Sequence, residues 1–316
     1  MSSQLSHRSK RVRDLVALFN RERLIKGRLV EARRNISEMD QPFSYPDYLK
    51  ARRFWIGEME AELLSYNMDS ENPKVAHLIR PESEDWVILQ LHGGGYVNAF
   101  KNQYRMVAGL YAEAGHGCNV LSIDYRVAPE HPFPAALEDA AAAYEWLLSA
   151  GFDAEHIVVA GDSAGGGLAM CLCHYLIDHH KKLPAGIVAM SPWTDLCITG
   201  ESYESNYHND PVFGGTRESL IYDNPYPGEN DPHNPYISPL YGDFSEFPPM
   251  LIQVGTCEML FSDAERVAQK ALFQRCRVKY TVYPEMFHVF QVAGRLMEES
   301  RAAWSEVSKF LMELRK

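Results

Sequence analysis

The sequence has few cysteines, and they form no pattern that would bind a metal or build a disulfide framework. The six cysteines among 316 residues are scattered, without a Cys-x-x-Cys pair or a zinc-type spacing of cysteine and histidine. Zinc, nucleotide and flavin motifs are absent too, so the sequence predicts no cofactor and no metal. A chain this long can bury a large core without disulfides, and we expect reduced thiols.

Long apolar runs are also missing. No window approaches 18 consecutive uncharged apolar residues, which argues against a membrane-spanning helix. The first residues, MSSQLSHRSKRVRD, lack the apolar region of a signal peptide. We therefore expect a cytoplasmic protein.

Positive charge is scarce beyond the start of the chain. Residues 1–35 hold ten Lys and Arg against three acidic side chains, an excess of +7, whereas the whole chain carries −11. The other 281 residues therefore carry a net −18, which repels phosphate backbones and argues against nucleic-acid binding. The basic segment has a rough helical stripe, and we expect it to dock on the acidic remainder. An anionic membrane is the alternative partner.

Apolar patterning predicts one α/β core. Strands are predicted at Ala61–Met68, Val75–Arg80, Val87–Leu91, Asn119–Tyr125, Ile157–Ala160, Ile187–Met190, Leu251–Val254 and Val278–Tyr283. Helices are predicted at Gln103–Gly115, Ala135–Ser149, Leu168–His179, Asp263–Gln274 and about Val292–Leu314. Alternation of strands and helices predicts a mostly parallel sheet with helices on both faces. The first three strands have hairpin-length connections and are predicted to be antiparallel.

The most informative motif is Gly-x-Ser-x-Gly between a predicted strand and a predicted helix. The run Ile157–Ala160 leads into Gly161–Gly166, which reads GDSAGG. In this context Ser163 is predicted on a strained turn that lifts its hydroxyl above the sheet at a helix N-terminus. Gly161 and Gly165 are required because a Cβ at either position would clash where the strand and helix cross. Ser163 is the candidate nucleophile, and the alternative is a glycine-rich turn that merely starts a helix.

A second glycine-rich motif follows the predicted strand Val87–Leu91. The run His92–Gly95 leaves backbone N–H groups uncovered and free to point at a ligand. An acyl-transfer enzyme needs such donors where the carbonyl oxygen becomes an oxyanion, and loss of one donor typically costs ~3–4 kcal/mol of transition-state stabilisation. The motif therefore indicates an oxyanion hole.

Four motifs together resemble those of the hormone-sensitive-lipase-like esterases. They are His92–Gly95, Asp124–Glu130, Gly161–Gly166 and Ser191–Leu196. The resemblance implies the α/β-hydrolase fold, with a mostly parallel eight-stranded sheet, helices on both faces and a helical cap. It assigns residues 1–60 and 198–235 to the cap region, and residues 61–197 and 236–316 to the catalytic core. The cap part after residue 198 is rich in tyrosine, and these rings are expected mainly to pack within it.

The resemblance also implies roles for single residues. Ser163 matches the nucleophile, and His288, in the loop after the last predicted strand, matches the general base. The N–H groups of Gly94, Gly95 and Ala164 match the oxyanion hole.

The acidic residue departs from the commonest family pattern, G-x-x-D-x-L-x-x-D. The sequence here is Gly255–Asp263, GTCEMLFSD, so Glu258 occupies the first acidic position. A carboxylate one methylene longer can still orient the imidazole and stabilise the imidazolium. Glu258 is therefore preferred over Asp263, which is expected to cap the helix that it begins. Asp195, at another strand end, is a third candidate.

These residues indicate a serine carboxylesterase, with a small-molecule ester as its partner. The resemblance implies that it acts on short-to-medium acyl esters. A carbohydrate acetylesterase is the alternative within this class, because an aromatic cap could stack on sugar rings. A non-catalytic small-molecule receptor of the same fold is a third hypothesis, and it is disfavoured because such receptors lack the histidine that is present here as His288. The sequence leaves the natural ester, stereoselectivity and a homo-oligomeric state open.

Overall fold

Eight strands form one sheet at the centre of the part of the chain that the structure describes. The structure is a computed structural model, and it describes residues 6–25, 37–66, 85–215 and 220–316. The strands are β1 Leu49–Ile56, β2 Met59–Tyr66, β3 Val87–Leu91, β4 Asn119–Ile123, β5 Ile157–Asp162, β6 Gly186–Met190, β7 Met250–Gly255 and β8 Val278–Tyr283. Their order across the sheet is β1-β2-β4-β3-β5-β6-β7-β8.

Helices cover both faces of this sheet. The α-helices are α1 His7–Ile25, α2 Asn102–Ala114, α3 Ala135–Ser149, α4 Ala164–Asp178, α5 Ser202–Ser205, α6 Phe261–Phe273 and α7 Glu298–Leu314. Short 3₁₀ helices lie at Ala154–His156, Pro239–Tyr241 and Phe290–Leu296. The predicted last helix is divided, because Gly294 has a φ of +54° and interrupts the helical geometry before α7 begins. In the described ranges no helix is long and apolar enough to cross a bilayer.

The centre of the sheet is parallel and buried. Every residue of β3, β5, β6 and β7 is buried, as expected for strands that helices cover on both faces. Alternate residues enter two apolar clusters: Leu89 and Val159 pack with α3, α4 and α6, whereas Ile88 and Val158 pack with α2 and α7. The predicted α/β architecture with a mostly parallel eight-stranded sheet is therefore confirmed.

The predicted antiparallel start of the sheet is only partly correct. β2 pairs antiparallel with β1 and β4. β3, by contrast, pairs in parallel with β4 and β5, so the prediction is wrong for this strand. Because β4 lies between β2 and β3, the connection between those two strands is not a hairpin. The predicted strand Val75–Arg80 lies outside the described residues.

β1 is a strand that the sequence analysis did not predict. Its sequence is LKARRFWI, and every residue except Leu49 is exposed or half-buried, so it shows no apolar alternation. It nevertheless pairs along its whole length with β2, from Leu49 opposite Tyr66 to Ile56 opposite Met59. Residues 49–56, which the sequence analysis assigned to the cap region, are thus part of the sheet.

The basic helix α1 lies against the acidic body. Val12 and Val16 pack on an apolar cluster beside β8 and α7. Ser9 donates a hydrogen bond of 2.5 Å to Glu299, and Arg13 Nη1 lies 3.5 Å from Glu285 Oε2. The expected docking of the basic segment is therefore confirmed for α1, while residues 26–36 lie outside the described ranges.

Candidate active site

Ser163 occupies a tight turn between β5 and α4. Its φ of +53° and ψ of −123° lie in a strained region for a residue with a side chain. A Cβ on Gly161 would collide with the backbone of Gly165, and a Cβ on Gly165 would collide with the Leu91 carbonyl. The expected clash between strand and helix is therefore confirmed for Gly161, whereas Gly165 is required because α4 passes close to the end of β3.

Three buried side chains form a continuous hydrogen-bonded series. His288 Nε2 lies 2.9 Å from Ser163 Oγ, and His288 Nδ1 lies 2.9 Å from Glu258 Oε2. The exposed fraction is 5% for Ser163, 7% for His288 and 0% for Glu258. Water therefore has little access to compete for these bonds, and the arrangement allows a proton to pass from the hydroxyl to the imidazole.

The carboxylate of Glu258 is oriented by its other oxygen. Gly255 N–H donates to Oε1 at 2.6 Å, and Ser191 Oγ donates to the same oxygen at 2.8 Å. Because two donors occupy Oε1, Oε2 faces His288. A glutamate at this position thus reaches the imidazole despite its extra methylene.

The other two candidate carboxylates have different partners. Asp263 Oδ2 accepts the N–H groups of Thr194 at 2.9 Å and Asp195 at 2.8 Å. Asp195 accepts a bond of 2.8 Å from Arg266. Asp263 is the third residue of α6, and that helix start has no side-chain cap, so the predicted capping role is wrong. Burial, and then the charge of Asp195, raises the pKa of Asp263 to about 8.

The glycine-rich loop after β3 stands beside the nucleophile. Gly94 and Gly95 have φ values of +118° and +65° and line the same cavity as Ser163. Within the described ranges, no protein acceptor takes their N–H groups. The N–H of Ala164 is the first of α4, where a helix offers it no internal acceptor. The three predicted donors are thus available to a ligand.

Asp162 connects this loop to the turn that carries Ser163. Its Oδ1 accepts the Gly93 N–H at 3.3 Å, and there is no room beside it for a Cβ on Gly93. Burial raises the pKa of Asp162 to about 6, against the opposing effect of nearby His288. The carboxyl group therefore links nucleophile and glycine loop through one hydrogen bond.

A cavity of about 860 Å³ opens above Ser163. Around His288 its wall is apolar, and the Phe213 ring lies 4.8 Å from the imidazole, measured between centroids. Further apolar wall is provided by Val12, Val16, Val212 and Phe287. A more polar region includes Glu38, Asn98, Lys101 and Gln103.

The segment after residue 198 is fastened to the acid-bearing loop by residues that the sequence analysis missed. Asn206 Nδ2 donates to the carbonyls of Thr256 at 3.0 Å and Glu258 at 2.8 Å. Asp210 accepts the N–H of Met259 at 2.8 Å through Oδ2 and that of Phe213 at 3.0 Å through Oδ1. The bonds to the acid-bearing loop have no local signal in the sequence, because those partners lie about 50 positions away.

Comparison with known proteins shows the family of this chain. A family model described as alpha/beta hydrolase fold matches residues 88–292. The chain belongs to the α/β-hydrolase family. Within that family it is similar to a solved esterase of the bacterial hormone-sensitive lipase family, with 34% identity, a TM-score of 0.79 and coverage of 96% of this chain and 97% of the other. It is one of the hormone-sensitive-lipase-like α/β-hydrolases.

Several named relatives of this α/β-hydrolase are esterases. An acetyl-hydrolase of Streptomyces hygroscopicus is 38% identical over 237 residues, which cover 75% of this chain and 79% of that protein. An esterase of Acinetobacter venetianus is 30% identical over 228 residues, 72% of this chain and 75% of the relative. A solved mutant of the esterase E40 has 34% identity and a TM-score of 0.83, and covers 98% of this chain and 99% of its own.

Proposed function

We propose that this α/β-hydrolase is a serine carboxylesterase that cleaves short-to-medium acyl esters through an acyl-enzyme on Ser163. The observation that carries the proposal is the hydrogen-bonded series from Ser163 through His288 to Glu258 at a cavity wall. Its chain order, serine then acid then histidine, is the order of α/β-hydrolases.

Acylation begins when the Ser163 oxygen attacks the ester carbonyl carbon and the hydroxyl proton moves to His288 Nε2. Glu258 orients the imidazole and stabilises the imidazolium that forms. The negative charge on the carbonyl oxygen is received by the N–H groups of Gly94, Gly95 and Ala164. The carbon–oxygen bond to the alcohol then breaks, and His288 returns the proton to the departing alcohol.

Deacylation repeats these steps with water. His288 removes a proton from water, the hydroxide attacks the acyl carbon, and the bond to Ser163 Oγ breaks as that oxygen regains its proton. The products are the carboxylic acid and the unchanged enzyme, and no cofactor takes part.

We assign the cap role to α1 and residues 198–235, above a core of residues 61–197 and 236–316 that also includes β1. Support comes from the cavity wall, to which α1 adds Val16 and the later segment adds Phe213. Because His288 protonates the departing alcohol, the alcohol part must lie beside the Phe213 ring. An apolar aryl or alkyl alcohol fits that wall.

An apolar alcohol distinguishes this proposal from a carbohydrate acetylesterase. The described part of the segment after residue 198 holds six tyrosines that could have stacked on sugar: Tyr203, Tyr207, Tyr222, Tyr226, Tyr236 and Tyr241. None of these six lines the cavity. Tyr226, for example, stacks on Tyr96 with 3.9 Å between ring centroids. A cytoplasmic location and a homo-oligomeric state remain predictions.

A series of p-nitrophenyl esters of increasing acyl length tests the function, with acetylated oligosaccharides measured in parallel and Ser163→Ala as the blank. We expect turnover of short and medium esters that Ser163→Ala abolishes, and slower release of acetate from the sugars. Faster release from the sugars would favour the acetylesterase. Well-folded protein without turnover would favour the receptor.

Alanine substitution of each carboxylate tests the acid. We expect Glu258→Ala to lower kcat by orders of magnitude, because the imidazole loses its partner. Asp263→Ala serves as the matched comparison, and thermal unfolding is recorded for both variants. The assignment fails if Glu258→Ala keeps kcat near that of the parent and folded Asp263→Ala loses it.

A further inference from the structure

Ser191 lies at the end of β6, in a motif whose function the catalytic cycle leaves unexplained. It is the first residue of the Ser191–Leu196 run and directly follows Met190, the last residue of the strand. Its own N–H donates to the Gln253 carbonyl at 2.7 Å, and its exposed fraction is 0%. The backbone of Ser191 is therefore held against β7, and its side chain is closed off from solvent.

The hydroxyl of Ser191 both donates and accepts a hydrogen bond at the active site. As a donor it reaches Glu258 Oε1 at 2.8 Å. As an acceptor it takes the N–H of Val289 at 3.1 Å, and Val289 directly follows His288. One oxygen thus holds the acid and the backbone of the base-bearing loop together.

The backbone of Ser191 indicates that the hydroxyl itself is what matters there. Its φ is +48°, a left-handed conformation that glycine adopts more easily than any residue with a side chain. Glycine would satisfy this backbone but would leave Glu258 Oε1 with one donor fewer and Val289 N–H without this acceptor. The serine therefore adds contacts that the turn alone does not need.

We propose that Ser191 is a positioning residue of the esterase, acting through Glu258 and Val289 to hold the imidazole in line with Ser163. It is not among the residues lining the cavity, so it acts on the reaction without touching substrate. The inference rests on the proposed function, because it requires Glu258 and His288 to act as acid and base.

The experiment compares Ser191→Ala and Ser191→Gly with the parent enzyme on p-nitrophenyl esters. A hydrogen bond to a charged group is strong enough that losing it in the transition state would lower the rate about 10- to 100-fold. We expect kcat to fall by this amount while KM changes little, since ground-state binding is unaffected. Ser191→Gly accommodates the positive φ, so its result does not depend on backbone strain.

Ser122→Ala is the matched control. Ser122, on β4, is also a buried serine, and its hydroxyl donates to Gln90 Oε1 at 2.6 Å, away from the cavity. We expect its kcat to equal that of the parent. Thermal unfolding of all three variants confirms that each is folded at the assay temperature.

A double-mutant cycle separates positioning from general stabilisation. If Ser191 acts through Glu258, Ser191→Ala should cost much less in kcat on the Glu258→Ala background than on the parent. Equal losses on both backgrounds, unchanged kcat in folded Ser191→Gly, or an effect confined to KM would overturn the proposal.

Failure of this inference can be told apart from failure of the proposed function. If Ser163→Ala and Glu258→Ala lose activity while Ser191→Gly keeps full activity, only this inference is refuted. If Ser163→Ala retains turnover, the proposed function is refuted.

Discussion

At the scale of single residues, Asp162 combines a link to the glycine loop with a buried carboxyl group. Burial raises the pKa of Asp162 from 3.8 to about 6. Between these pH values the carboxyl group is mostly protonated in the folded chain and mostly ionised in the unfolded chain. Stability therefore falls as pH rises from about 4 to 6 and stays reduced above. The shift corresponds to about 3 kcal/mol, at 1.36 kcal/mol per pKa unit.

Asp162→Asn should remove that penalty, because asparagine offers a neutral oxygen to the Gly93 N–H. We expect the variant to be more stable than the parent at pH 8 by up to about 3 kcal/mol, with the difference shrinking at pH 4.5. Urea unfolding at both pH values measures it. A difference that is the same at both values would contradict the assignment of the penalty to ionisation.

At the scale of elements, Arg105 on α2 joins the N-terminal segment to the sheet. It donates to both carboxylate oxygens of Glu62 at 3.0–3.1 Å, and it also bonds the carbonyls of Glu38, Met39 and Gln41. Both charged side chains are almost fully buried. Glu38 lines the active-site cavity, so this ion pair supports part of the cavity wall.

Arg105→Met should therefore destabilise the protein by about 3–5 kcal/mol, since it leaves the carboxylate of Glu62 buried without its partner. The free energy of unfolding in urea is the measurement. The double variant Arg105→Met/Glu62→Gln removes the uncompensated charge and should recover part of the loss. A loss below about 1 kcal/mol would mean that water reaches this pair.

The attachment of α1 relies more on apolar packing than on its ion pair. Val16 packs on the cluster near β8, whereas Arg13 meets Glu285 at a partly exposed site, where such pairs contribute about 0–1 kcal/mol. We expect Val16→Asp to lower kcat/KM several-fold, because a charge placed in this half-buried apolar contact detaches the helix from the cavity. Arg13→Gln should have little effect.

Leu18→Asp is the control for Val16→Asp. Leu18 is 56% exposed on the same helix and is not among the cavity-lining residues. Its substitution adds the same charge without removing packing. Equal losses of kcat/KM in both variants would point to charge rather than to docking.

Prediction from sequence succeeded where the signal is local. The helices α2 to α4 and the buried strands follow apolar periodicity, and Ser163 stands in a motif that its flanking strand and helix define. β1 was missed because an edge strand with Arg52 and Arg53 facing solvent shows no such periodicity. Ser191 and Asp210 were missed as site residues because their contacts at the site are made with residues 49 to 98 positions away in the sequence.

At the scale of the whole molecule, buried acids shape how stability depends on pH. Asp263 has a pKa raised to about 8, so its folded form retains a proton across the neutral range while the unfolded chain is ionised. Stability should therefore decrease as pH rises toward about 8. The net charge of −11 adds to this decrease through self-repulsion.

Asp263→Asn isolates the contribution of this group. Asparagine mimics the protonated side chain and can still accept the N–H groups of Thr194 and Asp195. We expect the Tm of the parent to fall more steeply between pH 6 and 8.5 than the Tm of Asp263→Asn, at the same ionic strength. Parallel curves would show that self-repulsion alone sets the slope.

During synthesis α1 leaves the ribosome long before the surface that receives it. Arg13 and Glu285 are 272 positions apart, which at ~5–20 residues per second separates their appearance by tens of seconds. Throughout that interval Val12 and Val16 lack the apolar cluster on which they pack, and Ser163, once made, has no base until His288 follows. Hydrolysis can therefore begin only after β8 and the loop that carries His288 have been made.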